Sequence, residues 1–393
     1  MKKVTYIDEA DIENKRVLVR VDFDVSLNPD YTIANDVRIK QNLPTLEYLL
    51  KNGNRLICVA KLNRPKTRNP EHSLKPVVKR LQEYLPNYKI RLVDEFLTCD
   101  KKIFTEQKPD EIIVLENIRF YPQEKDYSTI FAKKLASLAD VFVNDGFAVS
   151  HRTDTSVIGP PKFIPGYGGL LLKRELEMID KATKNPQKPI VAIIGGAKVS
   201  TKIGLVNRLV KIVDYLIIGG GLANTFVCAQ GHNVGNSFCE YESVQMARKL
   251  LALAKNNRAF IVLPVDALVA ANKNDKETEV AKIENIPANK SIFDIGPETK
   301  AQIGNIIAKA KTIIWNGPVG YFENPVFKQG TDFIYYSIAQ NDQAVSIVGG
   351  GDTLAAISKK EYLDKITHIS TGGGAMLEYI EKGTLPGIEA LKR

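Results

Sequence analysis

Short apolar runs rich in β-branched residues alternate with helical patterns along the whole chain. Such runs are typical of buried strands, and strands separated by helices predict parallel sheets covered by helices. The runs lie at 17–23, 55–60, 90–93, 112–115 and 141–144 in the first half and at 190–194, 215–218, 260–265, 312–315, 345–348 and 368–370 in the second. We therefore predict an α/β fold with two doubly wound parallel-sheet (Rossmann-like) lobes, which bind ligands at the carboxyl ends of their strands.

The length of the chain and a stretch rich in proline and glycine predict two domains. At 393 residues the chain can bury two cores. Prolines and glycines at 160–169 interrupt it, and the apolar pattern of 170–182 predicts one helix that ends before Pro186. That helix is either a hinge or an ordinary surface helix, and the sequence alone leaves both open. With it as the hinge, the predicted segments are an N-terminal lobe at 1–168, a linking hinge helix at 169–185, a C-terminal lobe at 186–370 and a last segment at 371–393.

Composition narrows the class of protein. A formal charge of +9 makes an anionic partner plausible, but no lysine- or arginine-rich tract and no nucleic-acid motif occurs, so we expect no nucleic acid partner. No apolar run approaches membrane-spanning length, and the first fifteen residues contain no apolar segment. We therefore expect a cytoplasmic protein with no membrane partner. The scattered cysteines indicate reduced thiols, without a disulfide framework or a zinc site: Cys58, Cys99, Cys228 and Cys239.

The stretch PIVAIIGGAKVSTKIGL at 189–205 combines a strand, a glycine turn and two lysines. Apolar residues between 199 and 210 recur at helical spacing, which predicts a helix that starts near Lys198. Lys198 and Lys202 would then lie one turn apart at a helix N-terminus, where the helix dipole disfavours cations. One lysine there would be a solvated helix start. Two lysines after a glycine turn favour a bound phosphate.

Charged residues follow the runs of the first half. Arginines at the ends of several strands favour one basic cleft for a ligand with phosphate and carboxylate groups, because guanidinium binds both in bidentate fashion. A single arginine of this kind would more commonly be a surface ion-pair partner. The candidates are Asp22, Asp24, Arg38, Lys61, Arg64, Arg119, His151 and Arg152.

Glycine clusters follow the runs of the second half. Glycine lets backbone N–H groups approach phosphate oxygens closely, so four clusters in one lobe favour a nucleotide site, although tight turns use glycine anyway. The clusters are Gly195–Gly196, Gly219–Gly221, Gly349–Gly351 and Gly372–Gly374. Asp352 is available for Mg²⁺. The chain has no GxxxxGK[ST] motif, and 151–154 lacks the downstream motifs of a protein-kinase catalytic loop.

These motifs together resemble one family, phosphoglycerate kinase. The similarity runs from residue 17 to the end of the sequence in the family's order, through VDFDV, NDVRIKQNLPTLEYLL, VLENIRF, VNDGFAVSHR, GGAKVSTKIGL, IIGGGLANTF, LPVDALVA, IWNGPVGYFE, VGGGDT and HISTGGGA. The resemblance implies reversible phosphoryl transfer between 1,3-bisphosphoglycerate and ADP, giving 3-phosphoglycerate and ATP, in glycolysis and gluconeogenesis. It also implies Mg²⁺ with ADP or ATP, a monomer, hinge closure, and a last segment that returns to the N-terminal lobe.

The resemblance assigns roles residue by residue. It implies that Asp22 accepts the hydroxyl of the acid substrate, that the arginines hold its phosphate and carboxylate, and that Glu323 binds the ribose. Lys202 would bind nucleotide phosphates and Asp352 would bind Mg²⁺. The catalytic set is Arg38, Lys198 and Gly373. The acid-binding set is Asp22, Phe23, Asp24, Arg38, Lys61, Leu62, Asn63, Arg64, Arg119, His151 and Arg152. The nucleotide-binding set is Gly195, Ala197, Lys198, Lys202, Gly219, Gly220, Glu323, Gly350, Gly351, Asp352 and Thr353.

The departures from the family pattern cluster in the acid-binding lobe. Asp24 and Ser26 replace Asn and Pro, Lys61 and Asn63 replace His and Gly, and Asp154 lies in TDTS where the family has AHAS or AQAS. We expect Asp24 and Lys61 to form a compensating pair. The departures keep open an enzyme of the same fold that acts on another carboxylate, a catalytically weak scaffold, and, least favoured, a basic nucleic-acid-binding module.

Overall fold

The computed structural model describes residues 3–357 and 360–392 and divides into two compact units. Unit 1 contains the residues up to Glu177 and those from Lys382 onward, and unit 2 contains Met178–Glu381. The boundary falls within one helix, Leu170–Thr183, which matches the helix that the sequence predicted at 170–182. Within the described residues, no helix combines the length and apolarity that crossing a membrane requires.

Unit 1 is built on one parallel sheet with helices packed around it. Its strands are β1 Arg16–Arg20, β2 Ser26–Leu27, β3 Ile33–Asn35, β4 Arg55–Val59, β5 Lys89–Val93, β6 Glu111–Leu115, β7 Val141–Asn144 and β8 Gly166–Gly168. Its helices are α1 Val37–Lys51, α2 Lys75–Tyr84, α3 Lys102–Thr105, α4 Thr129–Ala136, α5 Thr155–Ile158, the helix α6 Leu170–Thr183 that crosses the boundary, and α14 Pro386–Glu389. The sheet has the order β5-β6-β4-β1-β7-β8, and β2 and β3 form a separate antiparallel pair.

Burial on both faces explains why the central strands of unit 1 read as continuous apolar runs. Val17, Val19 and Val21 are fully buried in the core formed with α1 and α2. The pattern of β1 is interrupted once, by the fully buried Arg20. Parallel strands covered by helices on both sides need this composition.

Unit 2 repeats the architecture with a different strand order. Its strands are β9 Ile190–Ile194, β10 Tyr215–Ile218, β11 Phe260–Val262, β12 Asp266–Ala270, β13 Glu279–Lys282, β14 Ser291–Ile295, β15 Thr312–Asn316, β16 Val345–Gly349 and β17 His368–Ser370. Its helices are α7 Ile203–Leu209, α8 Gly220–Gln230, α9 Val244–Asn256, α10 Pro297–Lys309, α11 Gln329–Gln340, α12 Gly351–Ala355 and α13 Gly374–Lys382. The parallel sheet has the order β11-β10-β9-β15-β16-β17. The predicted fold class is thereby confirmed.

One predicted strand was too long, and one sheet was not predicted. The run at 260–265 was expected to be a single strand, but β11 ends at Val262, before Pro264, which cannot donate a ladder hydrogen bond. The chain then enters a second sheet, antiparallel and ordered β13-β12-β14. The exposed, charged strand β13 gave no apolar signal from which this sheet could be predicted.

The helix expected to start near Lys198 starts five residues later. Residues 199–202 form a turn in which the Lys202 N–H donates to the Val199 carbonyl at 2.8 Å, and α7 begins at Ile203. The Glu240 carboxylate accepts the Ser200 N–H at 3.0 Å and the Ser200 hydroxyl at 2.6 Å. Lys198 and Lys202 therefore both precede α7 and do not share a helix face.

The last described residues belong to unit 1. The Gly387 N–H donates to the Ser150 carbonyl at 2.8 Å, and a Cβ at Gly387 would lie 2.8 Å from Val157. Ile388 and Leu391 are buried. The helix α14 therefore packs on α5 as an integral part of the first unit.

Candidate active site

The charged residues of unit 1 lie at one edge of its sheet. Asp22 and Asp24 follow β1, Lys61 follows β4, Arg119 follows β6 and Arg152 follows β7. These strands are consecutive neighbours in the order β6-β4-β1-β7, and all of them are parallel. Their carboxyl ends therefore meet at the same edge, where open α/β sheets bind ligands.

Asp22 and Arg38 form the centre of this edge. Arg38 is the second residue of α1, and its Nη1 lies 2.9 and 3.0 Å from the two carboxylate oxygens of Asp22. Burial raises the pKa of Asp22, and the Arg38 charge opposes that rise. Asn42, one turn further along α1, accepts the Asp22 N–H at 3.2 Å and donates to the Arg38 carbonyl at 2.8 Å. Asn42 thus hydrogen-bonds the main chain of both members of the Asp22–Arg38 pair.

Asp24 binds the loop that follows β4. Its carboxylate forms an ion pair with Lys61 and accepts the Asn63 N–H at 2.7 Å. The pairing that the sequence predicted for Asp24 and Lys61 is confirmed. Asn63 has a φ of 57°, in the left-handed region that Asn tolerates better than most residues. Burial lowers the pKa of Lys61, whereas the Asp24 charge favours the ammonium form.

Arg119 is buried against Asp154, with which it forms an ion pair. The other terminal nitrogen of Arg119, Nη1, is buried without a hydrogen-bond partner among the described residues. Arg20 lies beneath this pair and donates from Nε to the Ser156 hydroxyl at 2.9 Å. The same hydroxyl donates to the Glu124 carboxylate at 2.6 Å, and burial raises the pKa of Glu124 to about 7. Arg119 is thus paired with a carboxylate through one terminal nitrogen, while the other has no hydrogen-bond partner among the described residues.

The other predicted acid-binding residues differ in their exposure and in their hydrogen-bond partners. Arg64 is exposed, and the Arg152 Nε is buried without a hydrogen-bond partner among the described residues. His151 is half-buried beside Arg152. Phe23 and Leu62 are fully buried in the core, so only their main-chain groups are available to a ligand.

The sequence reasoning missed two residues, Asn117 and Glu116, whose side chains hydrogen-bond the loops at this edge. The Asn117 side chain accepts the Leu62 N–H at 3.1 Å and the Arg119 N–H at 3.1 Å, and it donates to the Leu62 carbonyl at 2.8 Å. Glu116 accepts the Asn117 N–H at 2.7 Å and the Ser73 hydroxyl at 2.6 Å. Both lie in the LENIRF motif, which was noted for its arginine alone.

The glycine turns of unit 2 stack on one another at the carboxyl edge of its sheet. The Gly195 N–H donates to the Asn316 carbonyl at 2.9 Å, and a Cβ at Gly195 would lie 2.0 Å from the Pro318 carbonyl oxygen. The Gly220 N–H donates to the Val319 carbonyl at 2.9 Å, with a φ of 64° at Gly220. The turns after β9, β10 and β15 therefore approach more closely than side chains would allow.

The two lysines of unit 2 have different environments. The Lys202 ammonium donates to the Gly195 carbonyl at 2.8 Å and to Asn316 Oδ1 at 2.9 Å. Burial lowers the pKa of Lys202 to about 8, and the Asp352 charge opposes that shift. Lys198 is exposed and forms no ion pair with a described carboxylate. Lys202 is therefore oriented by neutral oxygens, whereas Lys198 is exposed to solvent.

A cavity of about 450 Å³ opens beside these turns. Its lining includes four of the predicted nucleotide-binding residues, Ala197, Gly220, Glu323 and Asp352. The lining residues that the sequence reasoning missed include Asn224, Asn236, Phe238, Phe293 and Tyr321. Phe238 and Tyr321 were indistinguishable from core aromatics in the sequence, because nothing in their spacing marks a cavity wall.

The GGGDT motif supports the neighbouring turn. The Thr353 hydroxyl accepts the Gly317 N–H at 2.7 Å and donates to the Gly349 carbonyl at 3.0 Å. It therefore joins the ends of β15 and β16. Gly350 has a φ of 112° and precedes α12, and Gly373 has a φ of 42° after β17. Gly351 and Asp352 are exposed at the start of α12.

Asp352 can serve a metal ion only as one ligand among several. Among the described residues, no group of three or more His, Cys, Asp or Glu side chains could hold a metal ion. Mg²⁺ is commonly bound in proteins through one or two carboxylates together with substrate phosphates and waters. An exposed aspartate at the rim of this cavity fits that mode of binding.

Comparison with known proteins gives one consistent result. The family model described as Phosphoglycerate kinase matches residues 7–383. A curated Phosphoglycerate kinase of Dictyoglomus turgidum is 45% identical over 395 residues and covers 100% of both chains. That of Chloroflexus aurantiacus is 44% identical over 398 residues, with 100% of this chain and 99% of the relative covered.

Solved structures agree with the sequence comparison. The phosphoglycerate kinase structure from Coxiella burnetii superposes with a TM-score of 0.87 at 39% identity, and 99% of this chain and 98% of that chain are covered. The structure from Pyrococcus horikoshii OT3 superposes with a TM-score of 0.84 at 29% identity, with 98% of each chain covered.

Proposed function

The chain belongs to the phosphoglycerate kinase family, and from that premise we propose how its residues divide the reaction. The enzyme transfers a phosphoryl group reversibly between 1,3-bisphosphoglycerate and ADP, giving 3-phosphoglycerate and ATP in glycolysis. In the direction of ATP consumption the nucleophile is a carboxylate, whose pKa lies near ~4, so it is ionised at neutral pH. The site therefore needs positioned charges and no general base.

We propose that unit 1 binds the phosphoglycerate. Asp22 accepts the substrate's hydroxyl, and the Arg38 charge favours the ionised form of that carboxylate. Arg64, Arg119 and Arg152 hold the phosphate and carboxylate, with support from the uncommitted nitrogens of Arg119 and Arg152. Lys61, Asn63, His151 and the main chain of Phe23, Asp24 and Leu62 complete the acid-binding set.

Unit 2 binds the nucleotide in this proposal. Lys202 and the turns containing Gly195, Ala197, Gly219 and Gly220 bind the phosphates. Glu323, at the cavity wall, accepts hydrogen bonds from the ribose hydroxyls. Gly350, Gly351 and Thr353 position the start of α12, where backbone N–H groups are available to a phosphate. Asp352 holds Mg²⁺, which would neutralise phosphate charge when it is bound with the nucleotide.

Stabilisation of the group in transfer falls to Arg38, Lys198 and the backbone N–H of Gly373. The equatorial oxygens of that group carry negative charge that preorganised cations and N–H groups stabilise. Lys198 suits this role because it is exposed and not committed to a described carboxylate. Because the acid and the nucleotide bind to different units, turnover requires a closing movement that unites them and excludes water. We further propose that the enzyme works as a cytoplasmic monomer.

The observation that carries the proposal is the placement of charged groups and glycine turns at the carboxyl edges of the two parallel sheets. A coupled assay with ADP and 1,3-bisphosphoglycerate tests it directly. We expect ATP to form in a Mg²⁺-dependent reaction with 3-phosphoglycerate as the other product. Tight nucleotide binding without ATP formation would instead support the alternatives, a different carboxylate substrate or a scaffold.

A further inference from the structure

Two cysteines that the reaction does not use lie side by side in unit 2. Cys228 is in α8, Cys239 is in the segment that follows it, and their sulfur atoms are 3.3 Å apart. Both are free thiols and both are partly exposed. Closing this gap to the ~2.05 Å of a disulfide needs a movement of only about 1.3 Å. We propose that Cys228 and Cys239 form a reversible, oxidant-driven disulfide that weakens nucleotide binding.

The chain holds the two thiols together through contacts on both sides of Cys239. The Asn224 side chain donates to the Phe238 carbonyl at 3.1 Å, and the Thr225 hydroxyl accepts the Glu240 N–H at 3.1 Å. Asn224 and Thr225 precede Cys228 by about one helical turn in α8. The backbone of Cys239 is therefore attached to the helix that carries its partner, so little ordering entropy is lost on cross-linking.

The segment that contains Cys239 also supports the nucleotide site. Glu240, the next residue, accepts the N–H and the hydroxyl of Ser200 in the turn between Lys198 and Lys202. Asn224 and Phe238 line the cavity beside that turn. A shift of Cys239 toward α8 moves Glu240 with it and displaces the turn. This coupling rests on the proposed nucleotide site, whereas formation of the disulfide does not.

A peroxide is the class of oxidant that completes the chemistry. Both thiols are partly exposed, so a peroxide can reach either one, and the steps are the same whether Cys239 or Cys228 attacks first. The Cys239 thiolate attacks one peroxide oxygen, the O–O bond breaks, and the departing oxygen leaves as water after protonation. The Cys228 sulfur then attacks the resulting sulfenic sulfur, the S–O bond breaks, and a second water leaves with the Cys228 proton. A thiol reductant reverses the cross-link by exchange.

The test is oxidation of the full chain with hydrogen peroxide, followed by intact mass measurement and non-reducing peptide mapping. We expect a loss of about 2 Da and one 228–239 cross-link, as two thiols lose their hydrogens. The cross-link should be absent from C228S and from C239S and retained in C99S. A cross-link that involves Cys99, or sulfinic acid at Cys239 without any cross-link, would overturn the proposal.

Calorimetric titration with ADP then separates the cross-link from its effect. We expect the oxidised protein to bind ADP about 3- to 30-fold more weakly than the reduced protein, since a displacement near 1 Å is costly in a preorganised site. A thiol reductant should restore the affinity, and C228S should keep the reduced value after peroxide treatment. Equal affinity of the oxidised and reduced proteins would refute the coupling. If neither form binds ADP, the proposed nucleotide site fails, and the mapped cross-link is unaffected.

Discussion

The cations at the two sheet edges are neutralised in different ways. In unit 1, Arg38, Lys61 and Arg119 each contact a carboxylate of the protein, from Asp22, Asp24 and Asp154 respectively. In unit 2, the Lys202 ammonium donates to two neutral oxygens, at 2.8 and 2.9 Å, and forms no ion pair with a described carboxylate. Three cations at the edge of unit 1 are thus paired with protein carboxylates before a ligand arrives, whereas Lys202 in unit 2 is not.

This difference shows how each site offsets the free-energy cost of burying a charged side chain. An internal carboxylate stabilises a buried cation in the absence of ligand, but it then competes with an incoming anion. Neutral oxygens orient a lysine without neutralising it, so the ligand phosphate meets the full charge. The free-energy cost of burying this charge is reflected in the pKa of Lys202, which burial lowers to about 8. The paired charges of unit 1 therefore favour stability in the absence of a ligand. The Lys202 charge in unit 2 favours a strong interaction with the ligand phosphate.

Removing one buried carboxylate from unit 1 should have the largest effect. Asp154→Asn leaves Arg119 buried without its counter-ion, so we expect unfolding free energy to fall by about 3–5 kcal/mol. Urea denaturation measures this loss. Asp140→Asn is the matched control, because its ion pair with Arg16 is partly exposed and such pairs contribute about 0–1 kcal/mol. Equal small losses in the two variants would contradict the view that unit 1 depends on buried pairing.

Arg38→Ala tests the reaction itself. We expect kcat to fall about 100- to 1,000-fold, as when a group that stabilises the transferring charge is removed. The dissociation constant for ADP should change little, because Arg38 belongs to unit 1. Steady-state kinetics and ADP titration give the two values. Arg80→Ala, at a half-buried arginine of α2 that pairs with Glu83, should retain normal kcat. A large loss of ADP affinity in Arg38→Ala would contradict its assignment to the acid site.

Lys202→Met separates ligand binding from stability. The charge-assisted hydrogen bonds to phosphate are lost, so we expect ADP to bind about 10- to 100-fold more weakly. The variant should nevertheless unfold at the same or a higher urea concentration, because it removes a half-buried cation that no described carboxylate contacts. A loss of stability like that expected for Asp154→Asn would remove the contrast between the two units.

Asp24→Asn examines competition within the acid site. Its carboxylate lies beside Lys61, where a substrate carboxylate would be repelled, so we expect the KM for 3-phosphoglycerate to fall about 3- to 10-fold on removing roughly 1 kcal/mol of like-charge repulsion. Asp94→Asn removes an exposed carboxylate of the same unit and should leave KM unchanged. An unchanged KM in Asp24→Asn would place Asp24 outside the acid site.

The smallest expected effect is a difference in pH dependence. Lys202 binds phosphate as the ammonium, and its pKa is about 8, so ADP affinity should fall about threefold between pH 7.5 and 8.5. Calorimetry across this range measures the change, and Lys202→Met should show no such decline. The arginines of the acid-binding set stay charged throughout, so they should not contribute the same decline to the affinity for 3-phosphoglycerate. Identical pH profiles for both ligands would contradict a role for Lys202.

Sequence reasoning predicted the parts of the fold and site that local pattern determines. The buried parallel strands, the helix at 170–182 and the pairing of Asp24 with Lys61 could all be predicted, because composition, periodicity or a matched pair of departures marks each one. The location of the candidate site at the sheet edge could also be predicted, because polar residues follow the strands in the sequence. Such features need no knowledge of distant contacts.

The features that were missed depend on contacts between residues distant in sequence. The turn that precedes α7 is hydrogen-bonded through Ser200 to the Glu240 carboxylate, 40 residues away. Asn117 positions Leu62 from 55 residues away. The antiparallel sheet built on β12 has one strand with no apolar signal. In each case the deciding interaction forms only after the chain has folded, so local pattern could not predict it.

The assignment of α14 to unit 1 has a consequence for synthesis on the ribosome. The first unit includes residues that are translated after the whole of the second unit. At about 5–20 residues per second, roughly 200 intervening residues take on the order of 10 to 40 s to make. Throughout that interval the surface of α5 that receives Gly387 and the surface at Gly166 that receives Leu391 lack their cover. The second unit can thus complete its folding before the first, in the reverse of their order along the chain.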